Sequence, residues 1–300
     1  MNFQVTQGPV AKAQKVIIYG PEGIGKSTLA AQFPDPIFID TEGSTSNMNV
    51  KRLQKPTSWE MIQQEIEYIK SSSIAHTLVI DTIDWAEQLC IQFVCQSKGK
   101  KGIEDFGYGN GYVYLSEEFG RLLNKLQEVV DVGINVVLTA HSQIKKFEQP
   151  DELGAFDRYE LKLGNKKTVA TTSNLVKEWA DMVLFCNYKL NVITENNGKK
   201  KAQGGQRVMY TTHHPAWDAK NRFGLPDEVP MDFKSIAKIF ANQQPVQKPI
   251  EHVKQQPVQD ELPKENKNDQ DSPFDYSDQI PAGIPKNIAD LMKANNVSEK

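Results

Sequence analysis

Residues 16–33, VIIYGPEGIGKSTLAAQF, limit what this chain can fold into more than any other stretch of it. An apolar run gives way to three glycines, then to a lysine and two hydroxyls, and a helix-forming segment follows. The spacing Gly20-x-x-x-x-Gly25-Lys26-Ser27 is that of a phosphate-binding loop. Gly23 and Gly25 let the backbone turn tightly enough for successive N–H groups to converge on phosphate oxygens. The helix behind the loop adds its own N-terminal donors. The loop residues Gly20, Pro21, Glu22, Gly23, Ile24, Gly25, Lys26, Ser27 and Thr28 are therefore the nucleotide-contact candidates. Lys26 suits the β- and γ-phosphates, and the Ser27 hydroxyl suits a Mg²⁺ that arrives with ATP.

Such a loop needs a strand before it and a helix after it. Further apolar runs bounded by turn residues predict strands at Val16–Tyr19, Ile37–Asp40, Thr77–Asp81, Asn135–Thr139, Met182–Phe185 and Arg207–Thr211. Helical periodicity lies between several of them, over Trp59–Ile69, Ile83–Val94 and Leu115–Val130. Continuous apolar strands alternating with helices predict an α/β fold, a mostly parallel central sheet flanked by helices. Gly99–Gly111 and Gln143–Ser173 show little periodicity and read as long loops, functional or disordered.

Past residue 240 the composition changes to Gln, Pro, Lys and acids. The expected organisation is a core over 1–240, a disordered Gln/Pro/Lys-rich linker over 241–285, and a short helical or tail segment over 286–300. In that last segment Ile288, Leu291 and Met292 fall at helical spacing, which also suits a docking peptide. Three cysteines, Cys90, Cys95 and Cys186, form no C-x-x-C pair and suit buried thiols in a reducing cytoplasm. Neither a signal peptide nor a membrane span is expected. The net charge of −3 creates no global field for nucleic acid, so any such contact must be local or repeated through an assembly.

The metal site of a phosphate loop needs an acid at the end of a neighbouring strand. In HTLVIDTIDW that acid is Asp81, at the C-terminal end where ligands of open sheets sit. Asp84, a turn later, reads as a helix cap. Hydrolysis also needs a group that orients water. Thr82 stands where many P-loop ATPases carry a glutamate, so another carboxylate is required, and Glu42 in PIFIDTEGS offers one. His213 and His214 are neighbours whose side chains diverge on a strand. No structural metal is expected.

Taken together, YGPEGIGKST, FIDTEGS, LVIDTIDW, GYGNGY, TAHSQIK, FDRYELKL, LVKEWADMVLF and PAWDAKNRFGLP, spread over 15–235, resemble a phage-encoded family of RecA-like ATP-binding proteins. Its members are associated with recombination and single-strand annealing. The resemblance implies a RecA-like P-loop NTPase core in which Glu42 activates water. It also implies a γ-phosphate sensor at His141, with Gln143 as second choice. It further implies a homo-oligomer, ring or filament, that holds ATP between subunits in the host cytoplasm. Lys220, Arg222 and Arg158 are the candidates for a cation reaching a neighbour's γ-phosphate.

Single-stranded DNA is the expected partner. Its contacts would fall on two loops, one with Lys98, Lys100, Lys101, Tyr108 and Tyr112, the other with Lys145, Lys146, Lys166 and Lys167. Basic residues beside aromatics suit phosphate contact and base stacking. The tail is a candidate docking site for a single-strand-binding or replication protein. Two other readings fit the same loop. One is an ATP-gated interaction protein without a DNA role, and the other is a small-molecule kinase.

Overall fold

Strand β1 (Lys15–Gly20) is buried on both sides, and its side chains divide by parity. Ile17 and Tyr19 enter one apolar cluster, Val16 and Ile18 the other. That division runs through the whole sheet and explains why the strands read as continuous apolar runs rather than alternating ones. The computed structural model describes residues 12–148, 154–164, 171–194 and 200–241, with Val5, Gln7, Gly8 and Val10 ahead of them. All of these belong to one unit spanning Met1–Glu251. The expected linker past Ala241, the segment 286–300, and Lys166 and Lys167 lie outside the described residues.

Among the described residues nine strands form one sheet in the order β3-β2-β4-β5-β1-β7-β8-β9, with β6 paired to β5 alone. The strands are β2 (Pro36–Asp40), β3 (Lys51–Arg52), β4 (Thr77–Asp81), β5 (Asn135–Glu148), β6 (Ala155–Leu161), β7 (Met182–Thr194), β8 (Lys200–Tyr210) and β9 (Glu228–Pro230). From β3 to β7 the pairings are parallel; β7–β8 and β8–β9 are antiparallel. The fold is thus α/β with a mostly parallel central sheet, as the alternating pattern predicts. Helices α2 (Trp59–Ser72), α3 (Ile83–Ser97) and α4 (Asn110–Asp131) cover the Ile17/Tyr19 face. The short helix α1 (Lys26–Ala30), Phe33 and the C-terminal turns ending at Phe240 cover the other.

The stretch Gln143–Ser173 is not the unstructured loop that its pattern suggests. β5 continues to Glu148 and pairs antiparallel with β6, and α5 (Thr172–Trp179) closes the excursion. Its cross-strand partners are Lys146 with Asp157 (2.9 Å) and Phe147 with Phe156 (ring centroids 5.6 Å). Charge pairs on an exposed hairpin carry no apolar period, so periodicity does not reveal them. The chain returns to its point of departure, where Lys162 N–H donates to His141 O (2.8 Å). Glu87 on α3 secures the return, accepting from Gly164 N–H (3.0 Å) and from the Thr172 hydroxyl. Gly99–Gly111 also holds structure, a turn of 3-10 helix over Ile103–Asp105, and α4 begins at Asn110 rather than Leu115.

Helix α2 starts where Ser58 caps it, its hydroxyl accepting from Met61 N–H (3.2 Å). It buries Trp59, Ile62, Ile66 and Ile69, and with them Glu65. Both Glu65 oxygens are buried without a hydrogen-bond partner, in the wall of a cleft formed with Leu53, Gln54, Met61, Gln64 and Tyr68. Burial pushes this carboxyl up to about 7. A carboxyl that holds its proton more tightly when folded lowers stability as pH rises from its unfolded value of 4.5 through about 7. Glu65→Gln is therefore expected to be neutral at pH 4.5 and stabilising by on the order of 2 kcal/mol at pH 8. Urea unfolding at the two pH values checks this; equal effects at both would refute it. Among the described residues no helix is long and apolar enough to cross a membrane, and all three cysteines are free and buried.

Candidate functional site

The phosphate loop leaves β1 at Gly20, packed so closely on β7 that a Cβ there would lie 2.2 Å from the Cys186 carbonyl oxygen. Gly23 and Gly25 have φ of +73° and +105°, the left-handed region that glycine enters without penalty. Lys26 opens α1 and is 6% exposed. Its ammonium donates to Gly20 O (3.2 Å) and Pro21 O (3.0 Å), and no carboxylate among the described residues pairs with it. Burial lowers its pKa, with Asp84 and Asp81 opposing. A buried cation held only by carbonyl dipoles is under-compensated, and a polyphosphate is the ligand that this deficit suits. Ser27 is half-buried behind it; Glu22 and Thr28 are exposed and Ile24 is buried.

Asp81 ends β4, fully buried, opposite Asp40 of β2 in the parallel register. It accepts from the Thr139 hydroxyl on β5 and from the Ser44 hydroxyl (3.3 Å). Ser27 and Asp81 are thus the side chains that fit a Mg²⁺ carried in with nucleotide. Glu42 follows β2 by two residues and is half-buried. Asp40 builds the turn that carries it, accepting from Gly43 N–H (2.6 Å), Ser44 N–H (3.1 Å) and Thr45 N–H (2.9 Å). Burial alone would raise the Asp40 carboxyl, but these bonds outweigh it and hold it below the usual range. Lys55 anchors the same turn through the Glu42 carbonyl (2.8 Å). Burial raises the Glu42 carboxyl; His141 opposes this, and Asp84 and Asp81 add to it.

His141 stands beside Gly20 in the β1–β5 register. Asp84 grips it twice, accepting from His141 N–H (3.0 Å) and contacting the ring at Nδ1 (2.8 Å). Burial would raise the Asp84 carboxyl, yet the His141 contacts bring it below the usual range. Asp84 is therefore not a helix cap. Thr82 occupies the N-cap position, and the Asp84 carboxylate turns toward β5 instead. Gln143 Nε2 donates to Leu161 O (2.9 Å) and belongs to the hairpin. The phosphate loop, Asp81 and Glu42 lie at the C-terminal ends of β1, β4 and β2, and His141 lies within β5 at the level of Gly20, where the loop leaves β1.

The candidate trans-acting cations make contacts within the chain. Arg158 is buried on Asp218, and Lys177 shares that carboxylate (2.7 Å). Lys220 donates to Lys177 O (3.1 Å), Glu178 O (3.2 Å) and Ala180 O (2.7 Å), closing the C-terminal end of α5. Arg222 pairs with Asp181 (3.2 Å) but keeps its side chain 58% exposed. Asp181 N–H bonds Lys15 O, so this pair lies at the opposite end of β1 from Gly20.

Of the DNA-contact candidates, Lys98, Lys100 and Lys101 are exposed, and Lys98 lies over the Tyr114 ring (5.4 Å). Tyr108 projects fully into solvent between two glycines, while Tyr112 bonds Glu104. On the hairpin Lys146 pairs with Asp157 (2.9 Å) and Lys145 approaches Glu160 (4.0 Å), so its charge is largely balanced.

Sequence reasoning missed Asp84, Ser44 and Thr139 as supports of the site. Thr139 was detectable, since a hydroxyl in the otherwise apolar run NVVLTA needs a partner. Ser44 and Asp84 were not, because their roles depend on contacts between separate strands. A family model described as an AAA domain matches residues 12–223, which take in every side chain of this site. No curated protein matches the chain.

Proposed function

The chain belongs to the AAA-domain family, and on that premise we propose that it hydrolyses ATP with Mg²⁺ as a RecA-like ATPase. The observation that carries this reading is that Lys26, Asp81, Glu42 and His141, from adjoining elements, lie within electrostatic reach of one another beside the phosphate loop. In it the loop backbone and Lys26 hold the phosphates, while Ser27 and Asp81 hold the metal. When bound, Mg²⁺ would supply neutralisation of the phosphate charge. Glu42 takes the proton of the attacking water, and its raised pKa makes it a better base than an ordinary surface carboxylate. His141, fixed by Asp84, reads the γ-phosphate. Arg222 is the exposed cation this reading retains for a neighbouring subunit's site, which makes the active form a homo-oligomer.

The same reading gives single-stranded DNA as the effector, and the fully exposed Tyr108 and the exposed Lys98, Lys100 and Lys101, all on the segment joining α3 to α4, favour it. An exposed aromatic and three cations on one connecting segment suit base stacking with phosphate contact. Steady-state ATP hydrolysis is the test, measured alone and with single-stranded DNA, duplex DNA or RNA. Single strands are expected to stimulate turnover, and Tyr108→Ala combined with Lys100→Glu and Lys101→Glu is expected to remove the stimulation but not the basal rate. Turnover indifferent to every nucleic acid would favour the ATP-gated interaction protein, and turnover that requires an added small acceptor would favour the kinase.

A further inference from the structure

Arg207 belongs to no element of the site described above, yet its side chain lies on the phosphate loop. Strand register explains how it arrives there. Tyr19 of β1 pairs with Phe185 of β7, Phe185 with Tyr210 of β8, and Tyr188 with Arg207. Arg207 therefore stands three residues beyond the level of Tyr19, at the height of the loop rather than of the sheet. From β8 the guanidinium reaches back, and Nη1 donates to Ile24 O (3.2 Å). A Cβ on Gly25 would come 2.7 Å from Nη1. The side chain of Met231 lines the same contact, and its N–H fixes the Arg207 carbonyl (3.2 Å).

The charge balance of this contact is one-sided. Among the described residues no carboxylate pairs with Arg207, and a single carbonyl leaves most of its five N–H donors available. Lys26 stands in the same condition, a cation resting on the carbonyls of the loop that it would serve. The two differ in which side of the loop they occupy. The sheet order places Glu42, Asp81 and His141 on the β5/β4 side of β1 and Arg207 on the β7/β8 side. A phosphate chain lying in the loop, with its terminal group toward the acids, has its other end toward Arg207.

We infer that Arg207 is a nucleotide-binding residue supplied by the same subunit, exchanging the Ile24 carbonyl for the α/β part of the phosphate chain. This rests on the ATPase reading above. Because ADP and ATP share that part, the contact is uniform between substrate and product, a binding role rather than a catalytic one.

Calorimetric titration of the full chain with ADP and with a non-hydrolysable ATP analogue tests it. Arg207→Ala is expected to weaken both ligands by a similar factor, about 10-fold or more for a lost charge-assisted pair. KM for ATP follows that factor while kcat at saturation changes far less. Arg207→Lys, which keeps the charge, recovers part of the affinity. Arg207→Gln keeps a donor for Ile24 without charge and behaves as alanine does. The inference is overturned if Arg207→Ala binds both ligands as the wild type does. It also fails if Arg207→Gln restores full affinity, which would make the contact a structural tie, or if the loss is confined to the ATP analogue. A wild-type protein that binds neither nucleotide would instead sink the ATPase reading itself.

Discussion

Lys26→Ala is expected to abolish tight binding of ATP and ADP in a chain that still folds. Two features of the ammonium set the size of the effect. It is nearly buried, and its partners are two main-chain carbonyls rather than a carboxylate. The cation is therefore desolvated before any ligand arrives, and a phosphate oxygen meets it without first stripping water from it. Hydrogen bonds to charged groups contribute about 1.5–3 kcal/mol each, and Lys26 offers two or more to a triphosphate. The expected loss of affinity is thus about 10²- to 10⁴-fold. Stability is expected to rise or to change little, because burial already depresses the Lys26 pKa and no carboxylate among the described residues pairs with the cation. Nucleotide titration beside a thermal melt separates the two effects. Unchanged nucleotide affinity in the variant would remove the phosphate-loop assignment.

Glu42→Gln is expected to bind ATP normally and to lose turnover by about 10²- to 10⁴-fold, the usual contribution of a positioned general base. Glutamine keeps the shape of the side chain and its hydrogen-bonding reach but cannot accept the proton of water. The pH profile supplies an independent mark. Burial raises the Glu42 carboxyl above its ordinary 4.5, so wild-type turnover should fall on acidification along a limb that begins above that value. The limb belongs to the deprotonated form and should vanish from the residual rate of the variant. Single-turnover hydrolysis across pH measures both. A variant with normal kcat would end the role of Glu42 and direct attention to Asp84, which with Asp81 lies within electrostatic reach of it.

The parts of this molecule that sequence makes legible are those whose causes are local. A glycine that must take positive φ, a run of apolar residues buried on both faces, and an acid at a strand end each leave a mark within a few positions. That is why the loop, the parallel strands and Asp81 are readable from the chain alone. The β5–β6 hairpin is not, because it is held by pairs such as Lys146 with Asp157, whose meaning appears only once the strands are in register. Asp84 illustrates the same limit more sharply. Its place just inside a helix fits a cap, and only the approach of β5 reveals that His141 is its partner. Arg207 acts on the loop from far along the chain, and no spacing rule connects it to Ile24.

The narrow waist of the hairpin has an evolutionary consequence. The chain departs after His141 and re-enters at Lys162, whose N–H closes on the His141 carbonyl (2.8 Å). Helix α3 clasps both sides of that waist, His141 through Asp84 and Gly164 through Glu87. Beyond the clasp the base of the hairpin still packs on the core, Arg158 on Asp218 and Tyr159 on Phe185 (ring centroids 5.0 Å), and the exposed tip past Lys146 and Asp157 lies clear of those contacts. Lengthening such an excursion raises its closure cost only slowly, by about 0.6 kcal/mol per doubling. Descendants of this chain are free to trade one hairpin tip for another, and with it the surface they touch, while inheriting the sheet and its phosphate loop unaltered.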